Sequence, residues 1–362
     1  MRAELVEDAG RLEGVAREWD ELAVAGARPY ASPHWLLPWW QALAPPGARL
    51  ATVVVRDREA VAGIAPFFVE RRGLGARAVA LGRGVSAGVE PLAREGAEDE
   101  VARLAAAALA DAAPVLFLDA VPAGSRWPGL LAAAWPGAAR LQRTVPAPVT
   151  ARPEGGYEAW FAARSGHFRK RMRRAARELD ERGAAFRLAG PDTFERDLEA
   201  FARLHEARWA ARGGSSVLTA GVEPMLLAAA RRLGPERFRL WLLELEGRPV
   251  CAEILVAAGG TASFWLGGFE PEHAALQPSL QTMLHAIEHA FRAGDGRIDL
   301  GEGGQEFKYR LADGERELAW FAVVGRGART LPAKAELAAG RLRRAAARTP
   351  LGDLRRRLLR RK

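Results

Sequence analysis

The chain has 362 residues, 49% of them hydrophobic, with 11 Trp and 14 Phe; that is material for two cores, since a single core seldom grows past ~250–300 residues. Its one cysteine, Cys251, excludes an intrachain disulfide and any cysteine-built metal site, and fits a reducing compartment. The formal charge of +9 excludes little, because residues 341–362 hold nine arginines and Lys362 against one acid, Asp353, which leaves residues 1–340 balanced.

Residues 1–10 lack the apolar run of a secretory signal. The most apolar stretch, Leu104–Ala110, is far short of the ~20 residues needed to cross a bilayer. The expectation is a soluble, cytoplasmic protein. Its basic tail, residues 331–362, either holds an anionic partner through 341–362, a membrane surface at the inner face or nucleic acid, or is a solvated terminal helix.

In chain order, residues 2–6 read as a strand and Arg11–Val24 as a helix. A second helix opens at Ser32-Pro33, with Ser32 capping and Pro33 in the first turn. Trp35, Leu36, Trp39, Trp40 and Leu43 recur on it at helical spacing, as a core-packing stripe. Strands follow at Leu50–Arg56, Ala60–Glu70 and Arg77–Leu81, then a Gly/Ser loop, a helix over Glu98–Ala112 and a strand over Val115–Asp119. The Pro- and Gly-rich stretch Pro146–Gly156 reads as a junction between two domains, 1–150 and 151–330.

Beyond the junction, Ser165 caps a basic helix with Phe168, Met172, Ala175, Ala176 and Leu179 on one face. Arg169, Lys170, Arg171, Arg173, Arg174 and Arg177 surround that stripe. This charge either meets an anionic substrate or is solvated and paired with Glu178, Asp180 and Glu181. A strand at Phe186–Leu188 and helices near Phe194–Arg212 and Glu223–Leu233 come next. Three strands, Arg239–Leu245, Pro249–Ala258 and Thr261–Phe269, are joined by the turns Glu246-Gly247-Arg248 and Gly259-Gly260. A helix begins at Gln277-Pro278-Ser279, with Ser279 as its cap and Leu280, Met283, Leu284, Ile287 and Phe291 on its inner face. Gly294-Asp295-Gly296 stops it, and Arg297–Leu300 reads as a buried strand. The order of elements in the first half thus repeats in the second, offset by roughly 180–190 residues, as tandem copies of one fold do. A free helix N-terminus beside a strand end is also a natural diphosphate seat.

The second-half order, together with Trp160-Phe161, Ser165, Phe168-Arg169, Leu204-His205, Arg208-Trp209, Gly267-Gly268-Phe269, Gln277-Pro278-Ser279-Leu280, Asp299-Leu300-Gly301-Glu302-Gly303 and Phe307-Lys308-Tyr309-Arg310, resembles the GNAT acyltransferase superfamily. Within it, the chain is most similar to the CelD/BcsL-type acetyltransferases of exopolysaccharide gene clusters, which are related to the Fem-type aminoacyl transferases. The resemblance covers residues 150–320. It implies a mixed α/β (α+β) fold of tandem GNAT-like domains, each a mostly antiparallel twisted sheet flanked by helices. It also implies an acyl-CoA-dependent N-acyltransferase with acetyl-CoA as co-substrate, no metal, and a small-molecule or sugar-nucleotide acceptor; nucleic acid is not an expected partner. Where that family usually carries Ser-Pro-Gly at the diphosphate helix, this chain has Gln277-Pro278-Ser279.

On that resemblance Trp265, Gly267, Gly268, Gln277, Pro278, Ser279 and Leu280 hold the cofactor. The strand ending Trp265-Leu266-Gly267-Gly268 supplies oxyanion donors but carries no carboxylate. Asp299 and Glu302, at the end of the next strand, are then base candidates. Tyr309 stands where a thiolate-protonating tyrosine is often found, and Lys308 is a candidate oxyanion or phosphate contact. His205 faces inward with Leu198, Phe201 and Trp209, as a core histidine or an acceptor-binding one. His205, Trp209, Arg169 and Glu90 are the candidate acceptor contacts, with Glu253 a weaker candidate. His285-Ala286-Ile287-Glu288-His289 spells a zinc-peptidase motif, but these residues are expected on the solvent side of their helix, without metal. The alternatives are a Fem-type transferase using aminoacyl-tRNA and a non-catalytic scaffold tethered by the tail.

Overall fold

The structure is a computed structural model that describes residues 1–340 apart from 73–74, 136, 212, 328–329, 332–333 and 336. The basic stretch 341–362, with its expected membrane contact, lies outside the described residues. Among the described residues, no helix is long and apolar enough to cross a membrane.

The first half runs β1 (Arg2–Val6), α1 (Ala9–Glu13), α2 (Ala16–Ala25), α3 (Pro33–Leu43), β2 (Arg49–Leu50), β3 (Thr52–Asp57), β4 (Ala60–Ala65), β5 (Phe67–Arg72), β6 (Gly75–Ala80), β7 (Leu92–Ala93), α4 (Glu98–Ala112), β8 (Val115–Pro122), α5 (Trp127–Ala134) and β9 (Gly137–Ala151). The expected helix over Arg11–Val24 is broken at Gly14–Val15, where Gly14 ends α1. The expected strand over Ala60–Glu70 is divided at Pro66, which supplies no N–H to a ladder. Ser32 caps α3 as expected, its hydroxyl accepting from the His34 N–H.

The second half runs α6 (Gly156–Ala162), α7 (Gly166–Glu181), β10 (Ala185–Leu188), α8 (Phe194–Ala210), α9 (Val222–Arg237), β11 (Phe238–Leu245), β12 (Arg248–Ala258), β13 (Thr261–Phe269), α10 (Pro278–Arg292), β14 (Arg297–Asp299), α11 (Glu306–Leu311) and β15 (Gly314–Gly325). The mixed α/β class with GNAT-like order is the one the sequence implied. Gly268 fixes how closely α8 lies on β13, since a Cβ there would fall 2.2 Å from the His205 backbone nitrogen.

The described strands form two sheets, one of order β1-β3-β4-β7 and one of order β10-β11-β12-β13-β14-β9-β15-β8-β6-β5-β2. The halves are interleaved in the second sheet. β9, from the first half, pairs with β14, while β15, from the end of the chain, lies between β9 and β8. The stretch Pro146–Gly156 is therefore not all linker, because β9 continues to Ala151. Pro146 and Pro148 sit in this inner strand without breaking it. Their carbonyls accept from Gly303 and Leu300, so the N–H each lacks would point to the same side, where the chain turns away after Asp299.

In each half one pair of parallel strands is joined only briefly. β6 pairs with β8 over Ala78 and Val79, and β13 with β14 over Thr261–Ser263. Beyond those residues the strands diverge. A bulge at the Ile254/Leu255 register shift bends β13 away at Trp265. Both openings face one space between the halves.

Candidate active site

A cleft of about 570 Å³ fills that space, within the range of small-molecule sites. One wall is the free edge of β13 from Phe264 to Gly267 with the turn Gly301–Glu302; the opposite wall comes from the first half through Arg83–Ala87, Asp119 and Arg143. The Trp265 indole locks the walls together, its Nε1 donating to the Val85 carbonyl at 2.7 Å, with Trp35 edge-on to its ring at 6.0 Å.

Lys308 projects into this cleft from α11. It is a buried helical residue, 5% exposed. Its Nζ donates to the Glu302 carbonyl at 2.7 Å. Burial pulls its pKa down to about 8, against a smaller opposing effect of Glu302. The ammonium is thus poised to lose its proton near neutral pH. Arg208 lies across the cleft mouth, over the rings of Phe269 and Phe307 at 5.2 and 5.9 Å.

The other sequence candidates separate. Asp299 lines the cleft, but its carboxylate is taken by the Gly301 N–H at 2.9 Å and by an ion pair with Arg316. Glu302 and Trp209 also line it. Tyr309, one residue on from Lys308 along α11, points elsewhere: it lines a separate groove beside Arg171, and its hydroxyl donates to Glu315 at 2.7 Å. Arg169 is spent on α7's own approach, donating to the Ala162 carbonyl. Glu90 is buried, held by Arg28 at 2.7 Å and by the Ser125 hydroxyl.

His205 is a satisfied core histidine. The Gly267 carbonyl, 3.1 Å from its Nδ1, can only accept, so Nδ1 carries the proton; Nε2 then accepts from the Ser215 hydroxyl at 2.8 Å. Burial lowers its pKa, chiefly by desolvation. Its place is behind the strand, fixing Gly267.

The expected cap of α10 is absent. Gln277 is the N-cap residue in the left-handed region (φ 55°) and makes no side-chain cap, while the Ser279 hydroxyl bonds the Glu253 carboxylate. The first turn of α10 keeps the free N–H groups of Ser279 and Leu280, as any helix does. Gly267 and Ser279 do come together, because both pack on Glu253. Glu253 is fully buried and its second oxygen has no partner; burial pushes its pKa up to about 8, against the Ser279 hydrogen bond. Gln277–Leu280 do not line the cleft. His285 and His289 are only partly exposed: His285 stacks on Phe186 at 3.8 Å and His289 stands edge-on to Trp241 at 5.5 Å.

Sequence reasoning missed Arg208, Arg83, Asp119, Arg143 and Trp320. The signal for Asp119 was the architectural repeat. It lies in β8 two residues beyond that strand's parallel pairing with β6, while Asp299 is the last paired residue of β14, and each is paired with an arginine, Arg83 at 3.2 Å in the first case.

Residues 166–309 match the family model described as an acetyltransferase (GNAT) domain, which spans under half of the chain. No curated protein sequence matches. Among solved structures, FemX is similar over 90% of this chain and 97% of its own, at 12% identity and a TM-score of 0.62. L-PGS from Bacillus licheniformis is similar over 92% of this chain and 96% of its own, at 14% identity and 0.56. The C-terminal domain of a protein described as a lysylphosphatidylglycerol synthetase, from Agrobacterium fabrum, matches 89% of this chain and 95% of its own, at 13% and 0.56. At these identities the likeness is one of fold, and residues 166–309 within it are of GNAT type.

Proposed function

We propose that the chain transfers an acyl group from an activated carrier to an amine held in the cleft between its halves. The observation that carries this reading is Lys308, a buried amine aimed at the point where the β13 edge is left unpaired. Free N–H groups along that edge polarise the acyl carbonyl, the Lys308 ammonium stabilises the oxyanion and protonates the departing group, and the proton lost by the acceptor nitrogen restores the ammonium. The acceptor amine enters from the first-half wall. We further take the donor to be acetyl-CoA, whose thioester supplies the activated acyl group, and the acceptor an amino sugar or sugar nucleotide of a polysaccharide precursor, acted on in the cytoplasm. Titration calorimetry with acetyl-CoA tests the donor: binding in the micromolar range is expected, and none at high micromolar concentration overturns it.

A second reading, transfer of an aminoacyl ester from tRNA, is favoured by one observation. The first turn of α10 lies outside the cleft, with the Ser279 hydroxyl turned to Glu253. Loss of activity on RNase treatment of a lysate would put this reading first.

A further inference from the structure

The seam beneath the cleft carries more positive charge than its carboxylates neutralise. A chamber of about 20 Å³ adjoins the cleft there, sharing Tyr30, Ala87, Ser263 and Asp299 with it. That is room for one water-sized particle. Three guanidinium groups line it, Arg28 before α3, Arg297 on β14 and Arg316 on β15.

Two of them have carboxylate partners. Arg28 holds Glu90 through Nε and Nη2 at 3.1 and 2.7 Å, and Arg316 pairs with Asp299. Arg297 has no carboxylate partner among the described residues; its Nη2 donates to the Thr261 hydroxyl at 3.2 Å. The Nε groups of Arg297 and Arg316 are both buried without any acceptor. Burial, and then the charges of Arg297 and Arg28, pull the pKa of Arg316 down to about 10; the pKa of Arg297 is lowered by burial and then by Arg28. A third, unneutralised cation beside two others is unfavourable in this half-buried place. A water molecule accepts from an orphaned N–H but leaves the charge uncompensated. A small anion answers both deficits.

We propose that this chamber binds one monovalent anion of halide size, held by the free Nε groups of Arg297 and Arg316 and by the charge of Arg28. Such an ion ties β14 and β15, from the end of the chain, to the first-half loop that carries Arg28. The inference is independent of the transferase reading, because its readout is stability.

The test is thermal unfolding of the full chain at constant ionic strength, with chloride or bromide replacing gluconate. Tm is expected to rise with the logarithm of halide concentration above its Kd, by roughly 2 °C once the halide exceeds its Kd about tenfold. Arg297→Met leaves matched charges, so its Tm is expected to be insensitive to halide. Diffraction from bromide-soaked crystals of the unmodified protein gives a second readout should that variant fail to fold, with an anomalous peak expected between Arg297 and Arg316. Equal Tm in both salts, or bromide found only outside the chamber, overturns the proposal.

Discussion

Lys308 and Glu253 are both buried titratable groups with pKa values near 8, and they predict opposite kinds of experiment. Lys308 acts as a cation, so kcat/KM should fall as pH rises through about 8. Lys308→Arg keeps its charge at all accessible pH, so that variant should lose the alkaline limb even if its rate is lower. Lys308→Met should cost roughly 10²–10³ in kcat/KM with little change in fold. A rate that instead climbs above pH 8 would make the neutral amine the active form. Glu253 bears on stability. Its folded pKa is raised from 4.5 to about 8, so the native state holds a proton that the unfolded chain releases. Stability is therefore intact below pH 4.5 and declines as pH rises from there through 8. Glu253→Gln should remove that slope and exceed the parent above pH 8, by at most roughly 5 kcal/mol at ~1.4 kcal/mol per pKa unit. Urea titrations across pH 5–9 check the sign; parallel curves for the two proteins would show that Glu253 is ionised in the fold.

Elements whose signal is local were legible in the sequence, and those defined by distant partners were not. The helix Glu98–Ala112 and the strands at 239–269 follow from periodicity and Gly turns, so their residues predict them almost to the end. β9 did not read as a strand because Pro146 and Pro148 count against one locally. They are tolerated only because of which neighbour lies on which side. α11 is six residues long behind a Gly-rich turn, too short for a period, so the burial of Lys308 could not be seen. The site divides in the same way. Trp265, Gly267 and Lys308, singled out on the family resemblance, line the cleft, whereas Arg83 reaches it only through packing between halves. The β13–α8 contact gives a prediction at this scale. Gly268→Ala places a methyl against the His205 backbone, which no side-chain rotation relieves. It should destabilise the protein by roughly 1–3 kcal/mol and displace Gly267 with it. A substitution that is neutral in urea unfolding would mean that α8 is free to move.

At the scale of the whole molecule, the exchange of strands decides how the chain unfolds. The two halves repeat one arrangement, but β15 completes the sheet of the first half and β9 that of the second. Leu318 packs with Ala120 and Ala147, and Ala322 and Val324 pack with Val115, so β15 fills the core beside β8. The main apolar cluster likewise runs from Val6 to Val323 and includes residues of α8, α9 and β12. A division at residue 150 would leave two long unpaired edges, on β8 and β9, with their backbone groups and apolar faces in water. We therefore predict one cooperative unit. In urea, far-UV circular dichroism and tryptophan fluorescence should report a single coincident transition, since indoles are distributed over both halves. Residues 1–151 alone should show poor amide dispersion and aggregate. A chain ending at Asp313 should behave in the same way, although it retains the whole of the first-half sequence and all of the cleft residues except Trp320. Two separated transitions, or a well-dispersed spectrum from residues 1–151, would mean that the halves fold independently and that β15 docks only afterwards.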